Sequence, residues 1–331
     1  DIKVASPLPV YGELSKVQTF PNRVVRSDVD SGSLADGFRK FRALEFKDIP
    51  AHRGDIKALF DLRGNLYIHT ERSLFVTKGK EELQVDAVTA FIGSGNIFAQ
   101  DPSEAMEADA GYAGTASRHA HVTTQYGHFY VNYRDRKVYN VGGQGIEDVN
   151  AGMESWFREH MPFYLERFGI NLDSEEARAN GFFIDAPTSE IVPLGFTLGY
   201  DPLFKRVLVT KHEPMPTQQF FEDFYAGNIV INDNIPELIA GCADADPGPF
   251  PEDDVDTNQR YKVRKFLPEG DIVCGPIWFG NPRYFTQSSW TVSYYPELKV
   301  WGSRHSYAPN LYTNTSEHLL SFAGNRSWEH S

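Results

Sequence analysis

The sequence predicts an all-β fold, a β-propeller-like array of antiparallel meanders with short helical insertions, and residues 1–331 are expected to form a single propeller-like domain. Short apolar and aromatic runs alternate with turns rich in Gly, Pro, Asn and Asp through most of the chain. Groups of three such runs recur, and no long stretch keeps the helical period. Repeated meanders of this kind are typical of propeller blades, in which each small sheet covers a face of its neighbour.

Two three-stranded meanders are the clearest elements. In both, tight turns containing Gly or charged residues separate runs of four to seven strand-forming residues. The first is expected at Ile56–Leu62, Leu66–Thr70 and Ser73–Thr77, and the second at His121–Thr124, His128–Asn132 and Lys137–Val141.

Two hairpins further along the chain share the turn pattern Tyr-x-Pro-x-Phe/Leu-Lys, beginning at Tyr200 and at Tyr294. Proline presets the backbone for a turn and cannot serve inside a central strand, so it marks where each first strand ends. A last strand-turn-strand segment covers Tyr307–Trp328 and raises the expected number of blade-like units to five or six. The two hairpins are predicted at Leu194–Tyr200 with Lys205–Lys211, and at Trp290–Tyr295 with Lys299–Ser303.

Three segments interrupt this pattern. Asn150–Phe168 has helical spacing of apolar residues, and Pro162 is expected to divide it into two short helices. Pro216–Tyr225 is a weaker helix candidate. Gly241–Thr257 is rich in Pro and Asp and is predicted to be a solvated acidic loop.

Composition limits the classes of function. The net charge is −13 and no Lys/Arg run forms a basic stripe, which argues against tight binding along a phosphate backbone. A surface that DNA passes without sticking is compatible with this charge. No run approaches the roughly 18 apolar residues needed to span a bilayer, and no signal pattern is seen, so we expect a soluble protein. The start at Asp1 rather than Met is compatible with a piece of a longer or processed polypeptide.

Candidate metal ligands have simpler interpretations. The acidic loop offers carboxylates of the kind Ca²⁺ prefers, but Val255 stands where an EF-hand needs a bidentate Glu, so a solvated loop is favoured over a calcium site. His119 and His121 could share one face of a strand, yet no third ligand is suggested nearby. Cys242 and Cys274 are expected to be buried thiols. The carboxylates in question are Asp244, Asp246, Asp253, Asp254 and Asp256.

No signature of catalysis emerges. Gly93–Asn96 and Gly142–Gly145 are glycine-rich but lack the strand-to-helix context of a phosphate loop, and Arg53-Gly54-Asp55 is a short tripeptide match of little weight. There is no nucleophile elbow and no Cys with a plausible His partner. The sequence therefore predicts a protein that is not an enzyme, with no cofactor-binding, catalytic or metal-binding residues. Its large aromatic side chains are expected in the core or at interfaces, above all Trp156, Trp290 and Trp301.

Several stretches resemble the tail stabilisation, nozzle or "muzzle" proteins of short-tailed bacteriophages, including crAss-like phages. Together they cover roughly half of the chain and span nearly its whole length, although members of this family can be far longer and the acidic insert departs from their pattern. The resemblance lies in Pro21–Phe41, Gly54–Thr77, Ile92–Phe98 with Gly114–Phe157, and Trp290–Phe322.

The resemblance implies a structural protein of the virion tail. Copies would form a ring, expected to be sixfold, that closes or extends the tail tube, beside other tail proteins such as an adaptor, tail fibre or tailspike. DNA would be a partner only in transit through the lumen. Two alternatives stay open: a β-propeller that binds or cleaves glycans at a cell surface, and a cellular interaction propeller unrelated to phage.

Overall fold

A computed structural model of the chain shows strands as its main element, which confirms the predicted all-β class. The residues that the structure describes fall in two compact units. The larger contains the described residues within 21–163, 193–213 and 287–330, and the smaller contains residue 20 and those within 164–172 and 214–286. The described residues are 20–28, 37–77, 81–85, 88–92, 98, 100–106, 113–115, 117–143, 145–172, 193–232, 235–239, 275–277, 279–315, 317–324 and 326–330.

The larger unit begins with a two-stranded ribbon, which is followed by a four-stranded first sheet in the order β3-β4-β5-β8. A separate hairpin, β6-β7, comes between β5 and β8 in the chain. The predicted first meander is confirmed as β3 to β5. The strands are β1 (Arg23–Ser27), β2 (Phe41–Asp48), β3 (Ile56–Leu62), β4 (Asn65–Thr70), β5 (Leu74–Thr77), β6 (Glu81–Val85), β7 (Val88–Ile92) and β8 (Ser103–Glu104).

The second sheet confirms the second predicted meander and adds a fourth strand, in the order β12-β11-β10-β9. The turn predicted within Gly142–Gly145 is also found, since Gly142 pairs with Gly145 at the end of this hairpin. Its strands are β9 (His121–Thr124), β10 (Gly127–Asn132), β11 (Lys137–Gly142) and β12 (Gly145–Asp148).

The two hairpins with the shared turn pattern lie side by side in one third sheet, in the order β13-β14-β18-β19. Two of these strands, at Arg206–Pro216 and Phe285–Tyr295, are longer than predicted. The final segment forms a fourth sheet of three strands, as expected. The strands are β13 (Gly195–Asp201), β14 (Arg206–Pro216), β18 (Phe285–Tyr295), β19 (Val300–His305), β20 (Leu311–Asn314), β21 (Leu319–Ala323) and β22 (Arg326–His330).

The helical insertion at 150–168 is confirmed and is divided as predicted. Helix α1 (Glu154–His160) belongs to the larger unit, and a 3-10 helix (Tyr164–Phe168) follows Pro162. The weaker helix candidate is α2 (Gln218–Tyr225), which starts after Thr217, whose side chain accepts a hydrogen bond from the Phe220 amide. It belongs to the smaller unit with the sheet β15 (Ile229–Asn232), β16 (Ile235–Leu238) and β17 (Gly275–Pro276). Two more 3-10 helices lie at Gly37–Arg39 and Ala51–Arg53.

The same four-residue turn closes three hairpins, and its last residue is a basic residue in the left-handed region. These residues are Arg136 (φ 60°), Lys205 (φ 49°) and Lys299 (φ 54°). Asn132 and Asp201, which open two of the turns, accept hydrogen bonds from the backbone two and three residues on. The recurrence of Lys in the sequence pattern therefore reflects a recurring backbone geometry.

Apolar side chains join the successive sheets of the larger unit. Phe60 and Leu74 of the first sheet share a core with Tyr130 and Tyr139 of the second. Strand β13 lies beside both β9 and β20, so the first strands of the second, third and fourth sheets are neighbours. No sheet among the described residues closes on itself. A propeller consequently remains a prediction.

Candidate interaction site

Three of the five tryptophans of the chain meet in the larger unit. Trp156 of α1 packs edge-on against Trp290 of β18, with ring centres 4.8 Å apart, and Trp301 of β19 packs in the same manner against Phe157, also at 4.8 Å. All three are partly exposed. The tryptophans that the sequence singled out as core or interface anchors thus form one cluster, which we call the tryptophan cluster.

Two further side chains, Arg304 and His160, belong to the tryptophan cluster because both contact the ring of Trp156. The guanidinium of Arg304 lies 4.7 Å from the ring centre of Trp156, a cation–π contact, and the imidazole of His160 stacks on the same tryptophan at 4.5 Å. Arg304 is exposed. The cluster therefore presents a positive charge supported by aromatic rings to the solvent.

A β-bulge in β19 brings Arg304 to this side of the sheet. Trp301 pairs with Tyr294 while Arg304 pairs with Val292, so one extra residue is accommodated in β19 between the two pairs. Opposite residues of an antiparallel pair point to the same face, and the bulge places Trp301 and Arg304 together although they are three residues apart. Sequence reasoning missed Arg304 for this reason, because strict alternation assigns it to the other face. His160 carried a signal, since it lies one helical turn after Trp156.

Helix α1 is fixed at its carboxyl end by a buried lysine. Lys211 of β14 is fully buried, and its Nζ donates to the carbonyl oxygens of His160 (3.0 Å) and Pro162 (2.9 Å). It also pairs with Glu213 at 2.7 Å. A cation at the end of a helix satisfies carbonyls that have no helical partner and complements the helix dipole.

The chain entering α1 is held as well, because the indole of Trp301 donates to the carbonyl of Val149 at 2.6 Å. Trp156 and His160 are thus carried by a short helix anchored on both sides. A rigid aromatic surface loses little conformational freedom when a partner binds.

One polar atom of the tryptophan cluster lacks a partner in the part of the chain that the structure describes. The Nε1 of Trp156 is buried and makes no hydrogen bond. A buried N–H without an acceptor costs about 1–3 kcal/mol, so this atom is a local cost within the cluster.

A second exposed apolar surface lies at the tips of the two hairpins of the third sheet, and we call it the tip surface. Lys205 of one tip pairs with Glu297 of the other at 2.9 Å, and Tyr126 of the second sheet donates to the same carboxylate at 2.6 Å. These hydrogen bonds, first from Tyr126 and then from Lys205, lower the pKa of Glu297. The large apolar side chains around this pair are Leu203 (59% exposed), Phe204 (49%), Leu298 (71%) and Val300 (45%).

The histidines considered as metal ligands are not part of this surface. His121 lies on β9 with its ring 5.1 Å from that of His128, whereas His119 precedes the strand and its carbonyl accepts the amide of Leu198. The described residues contain no group of three or more His, Cys, Asp or Glu side chains arranged to hold a metal ion. Arg53 of the Arg-Gly-Asp tripeptide pairs with Glu104 at 2.7 Å, and both side chains are largely buried.

Other candidates fall outside the described residues. They are both cysteines, the glycine-rich turn at 93–96 and the acidic loop at 241–257 with all its aspartates.

Within the described ranges, no helix combines the length and apolar character needed to cross a membrane. No known family model matches the chain, and no curated protein is significantly similar to it in sequence.

Proposed function

We propose that this chain is a non-enzymatic structural protein of a short-tailed bacteriophage, and that copies of it form a ring that closes or extends the DNA-conducting tail tube. The observation that carries this proposal is the tryptophan cluster, a rigid aromatic surface topped by Arg304. Trp, Tyr and Arg dominate the residues that supply most of the binding energy at protein interfaces. We assign the cluster to the contact between neighbouring copies.

The order of the sheets supports a propeller-like array within each copy. Four sheets follow one another along the chain, and the first strands of the second, third and fourth are neighbours. Blades of a propeller have this arrangement, with the first strand of each blade toward the axis. The helix α1, which follows the second sheet in the chain, would then project a contact surface from between two blades.

A closed ring needs head-to-tail contacts, so the tryptophan cluster of one copy meets a different surface on the next. The net charge of −13 favours a lumen that repels phosphate and lets DNA pass. An adaptor and a tail fibre or tailspike are the expected neighbours in the virion.

The proposal is tested by measuring the mass of the purified chain by light scattering across a concentration series, together with negative-stain images. We expect a ring of about six copies, formed alone or on addition of virion tail proteins. Arg304→Ala and Trp156→Ala should each shift the population toward monomer, since truncation of a central interface residue typically costs about 2 kcal/mol or more.

Trp328→Ala is the matched control, because Trp328 is 46% exposed on β22 and is not part of the tryptophan cluster. It should leave the ring intact. A wild-type chain that stays monomeric even with tail proteins would overturn the ring, and a ring that tolerates both cluster substitutions would overturn the assignment of the contact.

A further inference from the structure

Three histidines lie where the first and second sheets of the larger unit meet. His69 is on β4 of the first sheet, and His121 and His128 are on β9 and β10 of the second. The ring centres of His69 and His128 are 5.9 Å apart, and those of His121 and His128 are 5.1 Å apart. We call this group the histidine joint.

Two members of the histidine joint are completely buried among aromatic rings. His69 and His128 have 0% exposure. Phe60 of β3 stacks flat on the ring of His128 with centres 3.4 Å apart, and Tyr130 meets His69 edge-on at 4.6 Å. The same Phe60 and Tyr130 belong to the apolar core that joins the two sheets.

Each buried imidazole uses only one of its two nitrogens. His69 Nε2 lies 2.7 Å from the carbonyl of Ala113, which can only accept, so the proton is on Nε2. His128 Nδ1 lies 2.8 Å from the hydroxyl of Thr123. His69 Nδ1 and His128 Nε2 are buried and have no partner among the described residues.

Protonation would place an N–H at both unpartnered positions. A charged imidazole donates from both nitrogens, and neither His69 Nδ1 nor His128 Nε2 has an acceptor within reach in the described part. The buried charge and the unsatisfied donor both disfavour the closed core.

Among the described groups that act on the two rings, only the hydrogen bond from His69 to the Ala113 carbonyl favours a charged form, and burial outweighs it. The titratable side chains that face the two rings are the imidazole of His121 and the phenol of Tyr130. Burial lowers the pKa of His69 from 6.5 to about 3, and of the ionisable groups only His121 adds to this effect. Burial also holds the pKa of His128 well below its ordinary value, with His69 and His121 acting in the same direction.

We infer that the histidine joint is an acid-sensitive device, in which protonation of His69 and His128 opens the contact between the first and second sheets while the hairpin β13–β14 of the third sheet stays closed.

The third sheet contains a buried histidine that differs in one decisive respect. His212 of β14 has both ring nitrogens in hydrogen bonds, Nδ1 to the hydroxyl of Ser289 and Nε2 to the carbonyl of Pro309, each at 2.9 Å. Both acceptors can still receive an N–H when the ring is charged. Its protonation therefore leaves no donor unsatisfied in the hairpin β13–β14, although burial lowers the pKa of His212 as well. His305 at the end of β19 is partly exposed and its Nε2 has no partner among the described residues, so β18 and β19 are left out of the comparison.

The direction of the pKa shifts of His69 and His128 sets the pH range in which the contact opens. The pKa values of His69 and His128 are lower in the closed state than in an opened chain, so the opened state binds more protons below pH 6.5. The stability that the two neutral imidazoles give to the closed contact is fully present above pH 6.5 and is lost as the pH falls. For one imidazole with a closed-state pKa of about 3, the equilibrium constant for opening is about 30-fold larger at pH 5 than at a pH well above 6.5.

Hydrogen exchange followed by mass spectrometry tests the inference, with rates at pH 7 and pH 5 corrected for intrinsic exchange. The protection factors of peptides from β3–β5 and β9–β11 should be at least about 30-fold lower at pH 5 than at pH 7. Peptides from β13 and β14 should lose much less protection. Equal loss in all sheets, or no loss in the first two, would overturn the proposal.

A double substitution isolates the two rings. In His69→Gln the amide can still donate to Ala113, and in His128→Phe the stacking on Phe60 is kept, so the variant should keep its protection at pH 5. His212→Gln is the matched control and should respond to acid as the wild type does. If the double variant does not fold, His128→Phe alone should reduce the loss of protection at pH 5, and an unchanged loss would contradict the inference. The outcome is independent of whether copies form a ring.

Discussion

Lys211 shows how one residue determines the position of a whole element. Its charged side chain is fully buried, pairs with Glu213 and holds the carboxyl end of α1 through two carbonyls. The sequence marks it only as a polar residue in a strand. Its burial depends on a helix that lies some fifty residues earlier, which local pattern does not reveal.

Lys211→Met is expected to lower the free energy of unfolding by about 3–5 kcal/mol, because Glu213 and two carbonyls lose a buried partner. Chemical denaturation measures this difference. Lys205→Met is the control, since the Lys205 and Glu297 side chains are 54% and 50% exposed and such pairs contribute about 0–1 kcal/mol. Similar losses in the two variants would show that Lys211 is not a structural anchor.

The third and fourth sheets pack closely where a glycine of one faces a tyrosine of the other. Gly199 of β13 faces Tyr312 of β20, and a Cβ at Gly199 would lie 2.5 Å from Cγ of that ring. Tyr312 cannot move aside easily, because it is buried and its hydroxyl is bonded to Thr210 at 2.8 Å. The sequence shows a glycine within a strand, but only the packing of the sheets explains it.

Gly199→Ala should therefore destabilise the protein by about 1–3 kcal/mol through overpacking. In Gly142→Ala, the new methyl group would have Asn140 as its nearest neighbour at 3.8 Å, an ordinary contact. The control should change stability by no more than about 0.5 kcal/mol. Thermal unfolding of both variants beside the wild type gives the comparison, and equal stabilities would exclude a close approach of the two sheets at this point.

For the whole molecule, the net charge is expected to oppose the proposed assembly. Each copy carries a net charge of −13, so neighbouring copies in the proposed ring repel one another. Raising the salt concentration from about 20 mM to about 300 mM shortens the screening length severalfold. We expect the ring to form at a severalfold lower protein concentration at high salt, measured by light scattering. Weaker assembly at high salt would mean that attractive ion pairs dominate the contact.

The sequence by itself determined the two meanders, the two hairpins with their turns, the final strand-turn-strand segment and the helical segments, but not the remaining strands. Alternating apolar runs, the prolines at 202 and 296 and the break at Pro162 are local signals, because they depend on the backbone preferences of neighbouring residues. The tryptophans at 156, 290 and 301 were recognisable as anchors for the same reason, since large aromatic side chains need a partner wherever they occur.

Only the tertiary structure decided which of these residues meet. A β-bulge turns Arg304 toward Trp156, and a buried lysine fixes the helix that carries Trp156. Two distant strands bring His69 beside His128. The acid sensitivity that we infer for His69 and His128 rests on their burial and on one unpartnered nitrogen in each ring, whereas both nitrogens of His212 have partners. Local preference specifies elements, but the contacts that create a site join residues far apart in the chain, and no local signal encodes them.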